Sequence, residues 1–208
     1  VRRWQPSKNE LEIDFVLHGH GGAALWAATA QPGETVHLST ASGWFTPPAE
    51  CDWLLMVADH AALPAIGRIL EEAPDGLPIH VITQVPAPSE QQTFTTRADA
   101  HYRWIEESDS LLAELADAAL PPGEGYIWCA VEAAAARRIR THLRRTWEIP
   151  ANRMHVMGYW REDKENWERR YAAVADRIDA AMGEAMMAGK DFESVRDAVD
   201  DAMEREGL

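Results

Sequence analysis

An α/β architecture is predicted for this chain: a short antiparallel β portion, then a parallel sheet flanked by helices, then a helical extension. Three observations predict it. Between residues 53 and 158, short apolar runs alternate with helix-period segments, the pattern of a parallel sheet covered on both faces. Residues 10–17, ELEIDFVL, instead alternate acidic and apolar, the period of a strand with one buried face. From Glu162 onward the chain is highly charged and carries apolar side chains three or four residues apart, the stripe of an amphipathic helix.

In the first portion, Leu11, Ile13, Phe15 and Leu17 make the buried face of the expected strand. A glycine-rich turn and a short helix, GGAALWAATA, follow. The turn QPGE leads to a second strand, TVHLS, at 35–39. Its spacing suits an antiparallel barrel rather than a mononucleotide-binding unit. The stretch SGWFTPPAECD at 42–52 has the glycine and paired prolines of a linker.

The alternating region predicts strands at 53–58, 78–84, 101–105, 125–131 and 153–158, and helices at 61–73, 109–118 and 132–147. Pro64 falls in the first turn of its helix, where a missing N–H costs little. Ser108 and Asp109 offer capping oxygens ahead of LLAELADAAL. In the extension, Trp167, Tyr171, Val174, Ile178 and Met182 form one stripe, and AGKD breaks it from a last helix bearing Phe192, Val195, Val199 and Met203. These stripes are expected to pack on the body or on a second subunit. The division is therefore 1–48, 49–161 and 162–208.

Composition narrows the function. With 208 residues, 46% hydrophobic and 26% charged, the chain is of globular type. A net charge of −14 and a pI near 4.9 exclude nucleic acid and anionic membrane as partners, because phosphate contacts need a basic surface. ARRIRTHLRR at 136–145 is the local exception, read as a solvated helix face balancing acidic neighbours, with a docking or phosphate patch as the alternative. Cys51 and Cys129 are the only cysteines and lie in no CxxC spacing, which fits a reducing, cytoplasmic setting. No apolar run reaches the roughly 18–20 residues of a membrane span. GxxxxGK[ST], HExxH and GxSxG motifs are absent, which removes the common nucleotide-triphosphatase and hydrolase readings.

Four segments carry the chemistry. In HGHGGAALWA at 18–27, small residues at a helix start let backbone N–H groups approach a diphosphate, and the helix dipole favours its charge. His18 and His20 share a strand face and His37 lies on a neighbouring strand, but metal ligation needs three or four converging donors, so no metal site is expected. ADHAALPAI at 58–66 follows an apolar run, placing Asp59 at a strand end, where parallel sheets hold ligands. IWCAVEAAA at 127–135 ends a second such run at Glu132. GYWR at 158–161 ends a third, with Tyr159 and Trp160 offering flat rings and Arg161 a permanent cation. From the residues alone, the aromatic pair closing the core is an equal alternative.

Taken in order, these segments resemble the siderophore-interacting protein family of ferric-siderophore reductases, within the ferredoxin reductase-like flavoproteins. The resemblance runs from Val1 to about Trp167. It implies the C-terminal half of an antiparallel flavin-binding β-barrel followed by a parallel-sheet nicotinamide-binding domain. Residues 18–27 resemble the flavin-phosphate segment, with Gly21, Gly22 and Ala23 where Gly-Pro-Ala is usual; Asp14, Val16 and His18 then line the strand end facing FAD. Residues 58–66 resemble the nicotinamide side, usually Gly-Asp-Glu-Thr-Ala-Leu-Pro-Ala-Ile. Asp59, Ala62, Leu63 and Pro64 match, whereas Ala58, His60 and Ala61 depart. Glu132 matches the Ala-Gly-Glu strand end, with Val131 in place of the glycine. Cys129 is either a thiol near the nicotinamide or a buried, inert residue. Gly158 and Tyr159 are implied to adjoin FAD, Trp160 to shield it and Arg161 to attract an anionic ferric siderophore.

The implied activity passes electrons from NADH or NADPH through FAD to Fe(III)-siderophore and releases Fe(II). The segment at 84–92 lacks Arg and Lys, which leans towards NADH. Two rivals remain: a general flavin or ferric reductase, and a non-catalytic binding module in which Ala58, Ala61 and Val131 record a lost nicotinamide site. The chain opens at VRRW, resembling the residues just after the family's Arg-x-Tyr-Thr flavin motif. The expectation is that roughly the first half of the barrel is absent, that this form binds FAD poorly or not at all and is inactive, and that its unpaired edges favour a homodimer or strand exchange.

Overall fold

The computed structural model describes residues 1–17, 22–38, 43–106 and 110–208. His18, His20, Gly21, Ser108 and Asp109 lie outside the described residues, as does the side chain of Phe192.

The fold is mixed α/β, with one five-stranded parallel sheet and one two-stranded antiparallel sheet. The latter pairs β1 (Arg3–Gln5) with β2 (Glu10–Glu12). The strand expected over 10–17 therefore ends at Glu12, and 35–38 form no strand. Their alternation is present, but a strand needs a hydrogen-bonded neighbour, and the described residues supply none. Phe15, Leu17, Val36 and Leu38 are consequently exposed. Between them runs α1 (Gly22–Thr29), where Trp26 donates to Glu34 Oε2 at 3.0 Å and meets Phe15 edge-on at 5.7 Å.

The parallel sheet has the spatial order β5 (Asp99–Glu106), β4 (Pro78–Val85), β3 (Trp53–Ala58), β6 (Gly125–Glu132), β7 (Met154–Trp160). All five strands match the predicted positions. Every residue of β3 is buried, as is 126–131 of β6. That is why both read as unbroken apolar runs. Edge strand β5 alternates instead.

Two cores flank the sheet. On one face, Leu54, Met56 and Trp128 pack with Leu63, Ile66 and Leu70 of α2 (Leu63–Glu72). On the other, Leu55, Val57 and Val156 pack with Leu111 and Leu115 of α3 (Leu111–Ala116) and with Ile139 and Leu143 of α4 (Ala133–Arg145). The cap of α3 is Ser110, whose hydroxyl accepts from Ala113 N at 3.3 Å.

The extension folds as α5 (Lys164–Ala172), α6 (Ala175–Met187) and α7 (Phe192–Arg205). The first expected stripe is thus split between two helices at 173–174. The second break comes at Gly189, whose φ of 69° is left-handed. The arginines of α4 are only in part a solvated face: Arg138 is exposed, while others pair with α7. Arg140, 2% exposed, reaches Asp197 at 2.5 Å and Asp200 at 3.8 Å, and Arg145 bonds both Asp201 oxygens. The basic segment is the face on which acidic α7 docks.

Candidate functional site

The order of the sheet reverses between β3 and β6. From β3 the chain proceeds outward through β4 and β5; it then returns beside β3 with β6 and continues to β7. Beyond the carboxyl ends of the two central strands, such a reversal opens a crevice. Asp59 follows β3 directly and Glu132 ends β6.

Asp59 joins three strand ends. Its Oδ1 accepts from Ala61 N at 3.0 Å, which caps the 3₁₀ turn His60–Ala62 leading into α2. Its Oδ2 accepts from Glu132 N at 2.8 Å and from Trp160 Nε1 at 2.7 Å. The carboxyl is 8% exposed. Burial raises its pKa, the N–H donors from Trp160, Ala61 and Glu132 pull it down, and the Glu132 charge raises it further.

A β-bulge aims Trp160 at Asp59. Val131 pairs with Gly158 but Glu132 pairs with Trp160, so Tyr159 is the extra residue. Tyr159 and Trp160 are each 46% exposed, which decides against their closing the core. Burial raises the Tyr159 pKa. Arg161 lies with its guanidinium carbon 3.8 Å from the centre of the Trp167 ring, a cation–π contact. Burial and the neighbouring Arg137 charge lower its pKa, and Glu132 opposes them. The turn that brings Trp167 beneath it runs through Asp163, which has left-handed φ of 43°, tolerable for a short polar side chain.

Other expected contacts are placed differently. Glu132 caps α4, its Oε2 accepting from Ala134 N at 2.6 Å and Ala135 N at 3.1 Å. The side chains of Ala62 and Leu63 are buried in the core beneath α2, where they seat that helix. Pro64 stands at its N-terminus, and His60 Nε2 is 3.5 Å from Glu90 Oε2. The closeness at Gly158 is to the chain itself: a Cβ there would lie 2.8 Å from Ala133 Cα. Ala58 and Val131 are fully buried on opposite sides of the sheet, so neither side chain obstructs the crevice. Cys129 is completely buried, and burial pushes its thiol pKa far up; it is the inert residue of the two readings.

On the flavin side, Gly22 opens α1 with no atom within 4 Å of an added Cβ. That helix end is open and carries no acidic side chain to repel an anion. Asp14 is exposed and 4.0 Å from Arg2, and Val16 is half-buried. Arg2 also donates to Glu71 of α2 at 2.7 Å, tying this segment to the sheet domain. Among the described residues no group of three or more His, Cys, Asp or Glu is placed to hold a metal, and no helix is long and apolar enough to cross a membrane.

Residues 51–163 match the family model for siderophore-interacting protein, and residues 1–44 that for the siderophore-interacting FAD-binding domain. The chain belongs to the siderophore-interacting protein family. The siderophore-interacting protein SipS from Aeromonas hydrophila is 30% identical, with a TM-score of 0.71 over 85% of this chain and 73% of that one. A siderophore utilization protein from T. fusca is also 30% identical, with a TM-score of 0.66 over 78% of this chain and 65% of that one. The ferric vibriobactin reductase ViuB of Vibrio cholerae is 28% identical over 79% of this chain and 64% of its own length. The chain thus spans somewhat under two thirds of that siderophore reductase.

Two features of this family member were not legible beforehand. The bond between Asp59 and Trp160 spans 101 residues and depends on a bulge without a local signature. Trp167 takes its place in the expected stripe, on α5 and stacked on Tyr171, and its contact with Arg161 is a second role that the stripe does not reveal.

Proposed function

We propose that the protein is a ferric-siderophore reductase dependent on FAD and on NADH or NADPH. Support comes from one observation above all: Asp59, Glu132 and Trp160 meet at the sheet reversal, and the exposed Tyr159, Trp160 and Arg161 stand beside them. In this reading residues 1–48 serve the flavin, 49–161 the nicotinamide, and 162–208 brace Arg161 through Trp167. The nicotinamide requirement puts the reaction in the cytoplasm.

Each residue has a stated task. Gly22 and Ala23 admit the FAD diphosphate to the helix end, whose dipole favours its charge. Trp160 and Tyr159 provide flat apolar surface that excludes water from the reacting rings. Arg161, held on Trp167, attracts the anionic ferric chelate. Bound FAD would supply the hydride acceptance and single-electron delivery that no side chain provides. Iron is substrate: as Fe(II) it binds siderophore oxygens less strongly and leaves.

An absorbance spectrum of the complete polypeptide, taken before and after anaerobic addition of NADH, tests the reading. Flavin bands that bleach on addition support it. A colourless protein that takes up no added FAD refutes it.

A further inference from the structure

We propose that Asp59 is a positioning residue for Trp160 and not a contact to either cofactor. Its carboxylate fixes the indole across the ends of β3 and β6, and Asp59 acts on the reaction through that ring. The catalytic consequence rests on the ferric-siderophore reductase reading; the hydrogen bond does not.

A carboxylate offers about four acceptor sites. Three are taken by protein donors from three separate elements: Ala61 N, Glu132 N and Trp160 Nε1. At 8% exposure the group has little surface left to present to a nucleotide. The indole N–H is a donor only, so Trp160 has one edge tied down while the ring remains 46% exposed. A flip of the ring would break the 2.7 Å bond and leave a buried carboxylate oxygen short of a donor. One face is therefore presented consistently. The bulge at Tyr159 gives the strand end the extra residue needed to turn the indole towards Asp59. Since Glu132 N binds the same oxygen, the ends of β6 and β7 are registered against one atom.

Asparagine at 59 has one acceptor oxygen, whose two lone pairs serve at most two of the three donors, and its NH2 accepts nothing, so at least one of the three bonds is lost. Phenylalanine at 160 keeps a ring and removes the N–H. The test is a double-mutant cycle on the complete FAD-loaded polypeptide, with Asp59→Asn, Trp160→Phe and both together, reading NADH-driven reduction of a ferric hydroxamate chelate. Each single change is expected to lower kcat about tenfold, with less than about a twofold change in KM for NADH, and the double variant is expected to be no slower than either. Losses that multiply to about a hundredfold, or an Asp59→Asn variant that raises KM for NADH where Trp160→Phe does not, overturn the proposal.

A second readout needs no activity and no Asp59 variant. In the ¹⁵N-labelled wild-type polypeptide, the Trp160 indole N–H, identified by its loss in Trp160→Phe, is expected to be protected from solvent exchange. An indole that exchanges as fast as an exposed tryptophan refutes the positioning role. If the polypeptide reduces no ferric chelate yet this N–H is protected, the reductase reading fails while Asp59 still holds Trp160.

Discussion

Gly158 and Ala133 touch: a side chain at 158 would set its Cβ 2.8 Å from Ala133 Cα and 2.9 Å from its Cβ. The bare backbone of β7 is what lets the start of α4 close on the sheet. Gly158→Ala is therefore expected to destabilise the fold by about 1–3 kcal/mol through overpacking. A denaturant midpoint measures this. An unchanged midpoint would return Gly158 to the flavin-facing role suggested by its motif.

Docking of α7 is expected to depend on Arg140. Its guanidinium is 2% exposed and lies between Asp197 and Asp200. Arg140→Met leaves Asp200 without its ion pair and Asp197 with only its 3.9 Å contact to Arg144, and the expected loss is about 2–4 kcal/mol, because breaking one half of a buried ion pair strands the other. Urea unfolding followed by far-UV dichroism gives the value. A cost below about 0.5 kcal/mol would mean the pair behaves as a surface contact.

The two thiols should differ sharply. Cys51 is partly accessible and Cys129 fully buried, so a thiol-specific reagent should modify Cys51 in the native protein and Cys129 only after denaturation. Mass spectrometry of the labelled peptides distinguishes them. Native labelling of Cys129 would show that the central sheet opens.

Stability near the crevice should depend on pH with a defined sign. Asp59 has its pKa raised on folding, chiefly by burial. A carboxyl raised in this way binds its proton more tightly when folded. Its contribution is greatest below the ordinary carboxylate pKa of about 3.9 and is lost as pH rises through the raised value. Relative to Asp59→Asn, which does not titrate, the wild type should thus lose stability as pH rises from about 3.9 through the raised value. Unfolding midpoints of both proteins across that range show it. An advantage that grows with pH would mean the three N–H donors outweigh burial.

Legibility followed burial. The central strands were readable because β3 and β6 are buried on both faces and so carry uninterrupted apolar residues. Residues 13–17 and 35–38 alternate like strands yet form none, since an alternating pattern states which face prefers burial but not whether a neighbour exists to pair with. At the strand ends, motif order singles out Asp59, Glu132 and Trp160, which the fold brings together. Their partners were invisible, because Glu132 turns back to cap α4 and Asp59 turns inward to Trp160. Ala62 and Leu63 belong to the same motif as Asp59 but lie in the core. A motif preserves a local conformation, and only some of its side chains face outward.

In the proposed reaction, electrons reach ferric siderophore at the strand ends near Asp59 and Trp160. Its most direct measurement is anaerobic addition of NADH or NADPH to the complete, FAD-loaded polypeptide with a ferric hydroxamate and an Fe(II)-specific chromophore. The account predicts about two Fe(II) for each nicotinamide oxidised, since a hydride carries two electrons. Nicotinamide left unoxidised, with no Fe(II) trapped, would contradict it.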